Sequence, residues 1–468
     1  MASEKTSRPS PPQIDLKALF EQGARAYTEQ RVPEAVAAFQ RVVVHAPKNE
    51  AAWINLGGAW RLAKKPGLSV VCYRHVLELN PNSAGAYSNL GNAFKDLERF
   101  DESLAAHRRA LDLDAKRPMH WHNYGVCLRE ACDAPRAVDA FTRAIELNPE
   151  HVDAHWDRAL ANLAIGNYQA AWPDYAFRWR LNETKKSFRS PYPLWNGEAL
   201  AGRSVMLFAE QGFGDTLMAL RCLRYLNGHG GRIILYVQPE MRRLLGKLPN
   251  VDEIVTRDQP VPKADFGLPL MDLVARFTPD VAAIAPPVEL TIPADAGQRA
   301  RSVLHRFRSD FRIGIIWSGS VTFKNNHRRA VDLERFLPLA EIPGVQLFSL
   351  QKGPPYEQFK RLAPVPVVID LGSLFDDFAD TAATLRDLDL VIMTDSSVAH
   401  LCGSLGVPIW NLLNFHAYWI YGEKGEQSPW YPSMRLFRQH KPSDWDEVFA
   451  QVKQALEVAV ATKRAAGA

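Results

Sequence analysis

Three stretches of this chain gather residue types that can move a proton or hold an anion. The first is Val205-Met-Leu-Phe-Ala-Glu-Gln-Gly-Phe-Gly-Asp-Thr-Leu. An apolar strand runs into Gly212-Phe213-Gly214, and Asp215 then opens a helix carrying Leu217, Leu220 and Leu223. Glycines allow a tight turn and a close approach of ligand to backbone. Asp215 stands where a carboxylate can accept a hydroxyl proton, although aspartate is also a preferred helix cap. The second stretch runs from Ser318 through Gly319 and Ser320 to Lys324, His327, Arg328 and Arg329. Its cations can neutralise a diphosphate or merely face solvent as a charged loop. The third is Leu390-Val-Ile-Met-Thr394-Asp395-Ser396-Ser397-Val398-Ala399-His400. A buried strand there ends in hydroxyls before a helix, and unpaired N–H groups at a helix start attract anions. His400, one turn inside, faces either the ligand or the core.

Other chemistries lack their residues. Asp112-Leu-Asp114 falls in a repeat loop and Asp387-Leu-Asp389 precedes a strand, so neither reads as a metal-binding pair and no metal is expected. There is no P-loop, no GxSxG elbow and no full GxGxxG fingerprint. The five cysteines, Cys72, Cys127, Cys132, Cys222 and Cys402, form no CxxC pair, which suits a reduced compartment.

The elements that would position these residues alternate as strand and helix from Ser204 onward, the pattern of parallel α/β units. Strands are predicted at Val205–Ala209, Arg232–Val237 and Val288–Ile292 in one lobe. A second lobe is predicted to hold Arg312–Trp317, Val345–Leu350, Pro366–Ile369, Leu390–Met393 and Pro408–Leu413. An arginine-rich helical stretch, Gln298 to Arg308, separates them, and a terminal helix runs from Trp445 to about Val460.

Before that region the sequence repeats every 34 residues. Gly23, Gly57, Gly91 and Gly125 keep the spacing, with Ala159 in the fifth turn. So do the bulky series Trp53/Tyr87/Trp121 and Phe39/Tyr73/His107/Phe141/Tyr175, and the small series Ala35/Ser69/Ser103/Ala137/Ala171. Small residues let two antiparallel helices approach and large ones fill the gaps. Pro47, Pro81 and Pro149 close the second helices. Stacked hairpins build a groove that binds peptide or protein. Asn55, Asn89 and Asn123 form another 34-spaced series, equally suited to clamping a partner's backbone and to bonding between repeats.

Composition sets the frame. The chain has 468 residues, 47% hydrophobic and 23% charged, with formal net charge +4, so it is globular and too large for one core. That charge is too weak to indicate nucleic acid. The start is polar and Pro/Ser-rich, without a signal-peptide core, and no apolar run reaches about 18 residues, so a cytoplasmic protein without a membrane span is expected. The expected layout is a disordered 1–15, an α-solenoid of five repeats over 16–180, a linker over 181–203 and an acceptor-side lobe over 204–308. A donor-side lobe over 309–440 and a terminal helix and tail over 441–468 complete it.

The hairpins of 16–180 resemble the tetratricopeptide repeat. Thr394-Asp395-Ser396-Ser397-Val398-Ala399-His400-Leu401, followed by Gly406-Val407-Pro408, resembles the Asp-Thr-Gly-x-x-His-Leu and Gly-x-Pro segments of family 9 glycosyltransferases, the bacterial heptosyltransferase group. Gly214-Asp215 is similar to that family's Gly-Asp turn, and Ser428–Arg438 is similar to repeat-fused members. Ser397 departs from the family's Gly, and three cations (Lys324, Arg328 and Arg329) compete for the place of its phosphate-binding Lys. The resemblance implies a GT-B fold of two Rossmann-like lobes and a metal-independent, inverting transfer from a nucleotide-sugar co-substrate, with no other cofactor. It implies Asp215 as base. Gly212, Gly214, Ser318, Lys324, Arg328, Arg329, Gln351, Lys352, Asp395, Ser396, Ser397 and His400 would form the donor side. The repeats imply a protein acceptor, such as flagellin. The rival readings are a heptosyltransferase-like enzyme acting on a surface glycan or lipopolysaccharide, and a non-catalytic scaffold with a decayed transferase domain.

Overall fold

The computed structural model forms two compact units, Met1–Asp157 and Arg158–Ala468. It describes residues 14–182, 188–362 and 367–467. Most of the expected N-terminal tail, with Lys185, Lys186 and Pro366, lies outside the described residues.

The first unit is built of helical hairpins: α1 (Leu16–Thr28) with α2 (Val32–His45), α3 (Glu50–Leu62) with α4 (Pro66–Leu79), α5 (Ala84–Asp96) with α6 (Phe100–Leu113), and α7 (Pro118–Glu130) with α8 (Ala134–Leu147). A ninth helix, α9 (Val152–Ala164), begins the next hairpin. Side chains of Asp15, Asn49 and Ser83 accept first-turn N–H groups and so fix where α1, α3 and α5 begin. Asp15 is therefore an ordered cap rather than part of a disordered tail.

Each hairpin turns on a left-handed residue, and these also recur every 34 positions: Gln30, Lys64, Glu98 and Cys132, with φ of 57 to 60°. The next N–H reaches back to the carbonyl five residues earlier, as Arg31 does to Ala26 and Lys65 to Trp60, and satisfies an orphan carbonyl. The repeat glycines explain the bulky series. A Cβ on Gly23, Gly57, Gly91 or Gly125 would lie within 3.0 Å of the ring of Phe39, Tyr73, His107 or Phe141 respectively. Between repeats, Trp53 Nε1 donates to the Pro47 carbonyl and Trp121 Nε1 to that of Ala115. An ionic ladder links successive hairpins through Arg61–Asp96 (2.8 Å), Lys95–Glu130 (3.1 Å) and Arg129–Asp157 (3.2 Å).

The second unit starts inside the fifth hairpin, with the end of α9, α10 (Tyr168–Tyr175) and a 3-10 turn at Ala176–Arg180. Its first sheet is parallel, in the order β3-β2-β1-β4, from β1 (Ser204–Phe208), β2 (Arg232–Val237), β3 (Glu253–Thr256) and β4 (Phe266–Pro269). Helices α11 (Phe213–Ala219) and α12 (Leu270–Phe277) follow β1 and β4, and α13 (Gln298–Leu304) leads onward. The second sheet is also parallel, in the order β10-β9-β8-β5-β6-β7. Its strands are β5 (Phe311–Ile316), β6 (Val345–Ser349), β7 (Val368–Asp370), β8 (Leu390–Thr394), β9 (Ile409–Leu413) and β10 (Met434–Arg438). The helices among them are α14 (Asn326–Arg329), α15 (Tyr356–Leu362), α16 (Phe378–Arg386) and α17 (Ser397–Leu405). Finally α18 (Trp445–Gly467) lays Val448, Val452 and Leu456 into the core beside Phe336.

Three departures from expectation have physical reasons. Val288–Ile292 is not a strand; its alternating pattern is bounded by Pro286, Pro287 and Pro293, and it has no sheet partner among the described residues. β3, β4 and β10 were not anticipated, and all three are edge strands. β4 even carries Gly267, which weakens a strand, and Pro269, which a central strand does not tolerate. The expected linker is in part packed structure: Trp195 is fully buried and its backbone N–H donates to the Gly267 carbonyl at 3.1 Å.

No helix among the described residues is long and apolar enough to cross a membrane.

Candidate functional site

In an open parallel sheet, ligands bind beyond the carboxyl ends of the strands where the strand order reverses. The first sheet reverses between β1 and β4, and the second between β5 and β8. Beyond β1 comes Glu210 to Asp215. Beyond β5 and β8 come Ser318 to Arg329 and Asp395 to His400. All three sequence-selected stretches therefore sit at switch points.

The two sheets bring these stretches together. A Cβ on Gly214 would lie 2.6 Å from the His400 ring, so the α11 start packs directly on α17, and glycine is required there by close approach. Burial pushes the His400 imidazole down to about 4, leaving it neutral, and its Nδ1 pairs with the Tyr431 hydroxyl at 3.0 Å. His400 thus fills the joint between the turns rather than presenting a charge.

Asp215 occupies the third position of α11. Its Oδ2 accepts the Gly212 N–H at 3.2 Å and its Oδ1 accepts the Tyr418 hydroxyl at 3.0 Å. The half-buried carboxyl is nevertheless pushed up to about 6, first by loss of solvent and further by the charge of Asp395; its hydrogen bonds only partly offset this. It therefore closes the start of α11 and is more basic than an ordinary aspartate. Asp395 accepts the Tyr421 hydroxyl at 2.7 Å and meets Arg329 Nη1 at 3.4 Å. Of the three competing cations, Arg329 is the one that this contact ties to the β8 turn. Its guanidinium also lies over the Phe323 ring and against Gly319. Lys324 is exposed and Arg328 half-buried. Ser396 caps α17 without a side-chain hydrogen bond, and both Ser396 and Ser397 are half-exposed. Their hydroxyls stand beside the α17 N-terminus, where first-turn N–H groups attract negative charge.

The remaining candidates, Gln351 and Lys352, bond to the backbone of loops around the second sheet. Gln351 is a buried brace: its Oε1 accepts from the N–H groups of Trp317 and Ser318, and its Nε2 donates to the carbonyls of Ser318 and Lys352. It shapes the loop after β5, with Asn326 donating to Ser318 Oγ at 3.0 Å. Lys352 bonds the Phe375 carbonyl. Asp387 and Asp389 face cations, with Arg301 on the former and Arg312 and Lys463 on the latter.

Of the repeat asparagines, Asn123 bonds Ser88 of the preceding repeat at 3.0 Å, whereas Asn55 bonds the Ala51 carbonyl in its own helix. The Asn89 amide has no hydrogen-bond partner among the described residues and is half-exposed.

Several residues around this site were not singled out by sequence. The Glu210 side chain is only 4% exposed, is pushed up to about 7 chiefly by burial, and pairs with Arg178 at 3.2 Å. Arg178 also pairs with Asp272 at the start of α12, and the Tyr175 hydroxyl accepts Gln211 Nε2 at 2.7 Å. Arg221 is buried between the Trp430 and Tyr431 rings, with its guanidinium on the carbonyls of Ala285 and Trp430. The sequence signal was faint: a lone acid beside the glycine turn, with Tyr175 legible only as a member of the repeat series and Trp430 and Tyr431 only as part of Ser428–Arg438. A cavity of about 760 Å³ lies elsewhere in the unit, lined by Arg242, Arg243, Lys247, Asp252 and Asp377 among others. None of the sequence-selected residues lines it, and Arg243 there is taken up by Asp295, Asp377 and Asp380.

Models of the tetratricopeptide repeat match residues 20–84 and 128–178, and 84–117. Protein FlbA of Caulobacter vibrioides is 27% identical over 331 residues, covering 64% of this chain and 54% of its own length. The chain thus spans about half the length of that curated relative. The match is too long to be confined to the repeats. Among solved structures, a MamA protein aligns at 18% identity over 38% of this chain and 98% of its own, with a TM-score of 0.30. A thermophilic tetratricopeptide-repeat protein of Thermus thermophilus, TTC0263, aligns at 15% identity over 36% and 93%, with a TM-score of 0.34. The N-terminal region of the chain is made of tetratricopeptide repeats, and an α/β region of two parallel sheets follows them.

Proposed function

We propose that the α/β region is a GT-B glycosyltransferase that moves a sugar from a nucleotide-sugar donor to an acceptor hydroxyl, and that the repeats bind a protein partner carrying that acceptor. The observation that carries this reading is the meeting of two switch-point turns, one bearing Asp215 and the other Asp395 and the start of α17, through the Gly214–His400 contact. Asp215, raised to about 6, is mostly ionised at pH 7 yet more basic than an ordinary aspartate. It takes the acceptor proton as the hydroxyl oxygen bonds to the anomeric carbon. The bond from that carbon to the diphosphate breaks on the opposite face, and the oxygen leaves with the electron pair, giving inversion. The departing charge meets the α17 N-terminus, Ser396, Ser397 and Arg329. Lys324 and Arg328 stand on the same loop as further donor-side cations.

The test is release of nucleoside diphosphate from a panel of nucleotide sugars, with acceptor supplied by proteins captured on the repeats. Asp215→Asn is expected to lower turnover by about 10²–10⁴-fold while leaving the fold intact. A folded wild-type chain that consumes no nucleotide sugar, or a fully active Asp215→Asn, refutes the proposal.

A further inference from the structure

One short segment after β9 touches both carboxylates. Tyr418 donates to Asp215 on the first sheet's turn, and Tyr421, one 3-10 turn later, donates to Asp395 on the second. The backbone between them is firmly held. Trp419 packs edge-on against Tyr168 and Trp172 of α10 and against Trp430, and Trp430 Nε1 in turn donates to the Tyr168 hydroxyl at 3.0 Å. Gly422 ends the turn at φ 65°, and Arg438 holds the carbonyls of Tyr421 and Gly422.

We propose that Tyr418–Tyr421 is a strap bonded to both turns, with Tyr418 as a positioning residue that fixes the orientation and charge of Asp215. This rests on Asp215 being the base of the proposed transfer, and it adds the group that aims it. Tyr418 holds Oδ1 at 3.0 Å and the Gly212 N–H holds Oδ2 at 3.2 Å, so the two bonds fix the plane of the carboxylate, and Oδ2, on the longer bond, is the oxygen assigned to the incoming proton. Burial keeps the Tyr418 phenol protonated well beyond neutral pH, so it donates throughout the working range. The ionisable groups that bear on Asp215 are Glu210 in the turn between β1 and α11, Tyr175 of α10, Asp395 and His400 beyond β8, and Tyr418 and Tyr431 from the loops after β9. Among them Tyr418 is the direct side-chain donor to the Asp215 carboxylate.

The experiment follows the Asp215 carboxyl carbon by NMR from pH 4 to 8 in the full-length chain labelled at aspartate, with Asp215→Asn for assignment. Tyr418→Phe keeps the ring and removes one donor to the charged form, so the midpoint rises by about one pH unit. Tyr421→Phe, the companion variant, leaves that midpoint near the wild-type value. An unchanged midpoint in Tyr418→Phe, or an equal shift in both variants, overturns the strap. The titration needs no turnover, so a shifted Asp215 in a chain that transfers no sugar upholds the strap and refutes the transferase reading alone.

Discussion

His107 occupies a slot that Phe39, Tyr73 and Phe141 fill in three other hairpins, its ring pressed on Gly91 as theirs are on Gly23, Gly57 and Gly125. It is fully buried, and neither ring nitrogen has a hydrogen-bond partner among the described residues. Burial pushes its imidazole down to about 3, with the nearby charges of Lys95 and Arg61 acting in the same direction. The unfolded chain binds a proton near 6.5 while the folded chain refuses it until about 3, so stability is full above 6.5 and falls as pH drops below it. At pH 5 the gap is about 1.5 pH units, or about 2 kcal/mol at 1.36 kcal/mol per unit. His107→Phe removes this penalty and also the unsatisfied nitrogens, which cost about 1–3 kcal/mol at any pH. The phenyl ring fits because the sister slots already hold one. The assay is amide hydrogen exchange of α5 and α6 at pH 7.5 and 5.0, converted to opening free energies. The variant is expected to be more stable at both, with its advantage growing by about 2 kcal/mol at pH 5. An advantage that is the same at both pH values refutes the reasoning, because His107 would then titrate like a solvated histidine.

Further predictions concern the turns and the candidate site. Lys64 carries the left-handed penalty of about 1 kcal/mol on an exposed hairpin turn, so Lys64→Gly is expected to stabilise the repeats by roughly 0.5 kcal/mol after the extra chain entropy of glycine. Lys64→Val would lower the urea midpoint instead. For Asp215, whose folded value lies above its unfolded one, ionisation weakens the fold as pH rises from about 4 through 6. Asp215→Asn should therefore raise the melting temperature at pH 8 by the equivalent of about 1–2 kcal/mol, a figure discounted for partial exposure, and change little at pH 4. Glu210, raised to about 7, follows the same sign, so Glu210→Gln gains stability as pH climbs from about 4.5 to 7. A destabilised Glu210→Gln at pH 8 would mean that its pairing with Arg178 outweighs burial.

The repeats were legible because one 34-residue period is written simultaneously in glycines, aromatics and small residues, each obeying the same local packing. The central strands were legible for a related reason: β1, β2, β5, β6, β8 and β9 are largely apolar runs. Of the edge strands, β7 was legible within Pro366–Ile369, but β3 and β4 were not, since β3 has polar ends and β4 contains Gly267 and Pro269. The boundary of the repeats illustrates a different limit. The fifth hairpin keeps the sequence period, yet its last helical turns pack on Thr278, Gln211 and Trp430, so α10 belongs to the second compact unit. Asp215, Asp395 and His400 could be read from local strand–turn–helix grammar. Tyr418 could not, because its bond to Asp215 spans 203 positions and only the assembled sheets bring them together.

Calorimetric titration of the full-length chain with nucleoside diphosphates and their sugar esters bears most directly on whether the two turns make one site. At least one such ligand is expected to bind. Gly214→Val, which drives a side chain into His400, and Arg329→Gln, which removes the cation on the β8 turn, should each weaken it about 10–100-fold. Asp215→Asn should bind as wild type. Binding of no nucleotide by the folded wild type, or undiminished binding by both Gly214→Val and Arg329→Gln, would contradict a shared site at these turns.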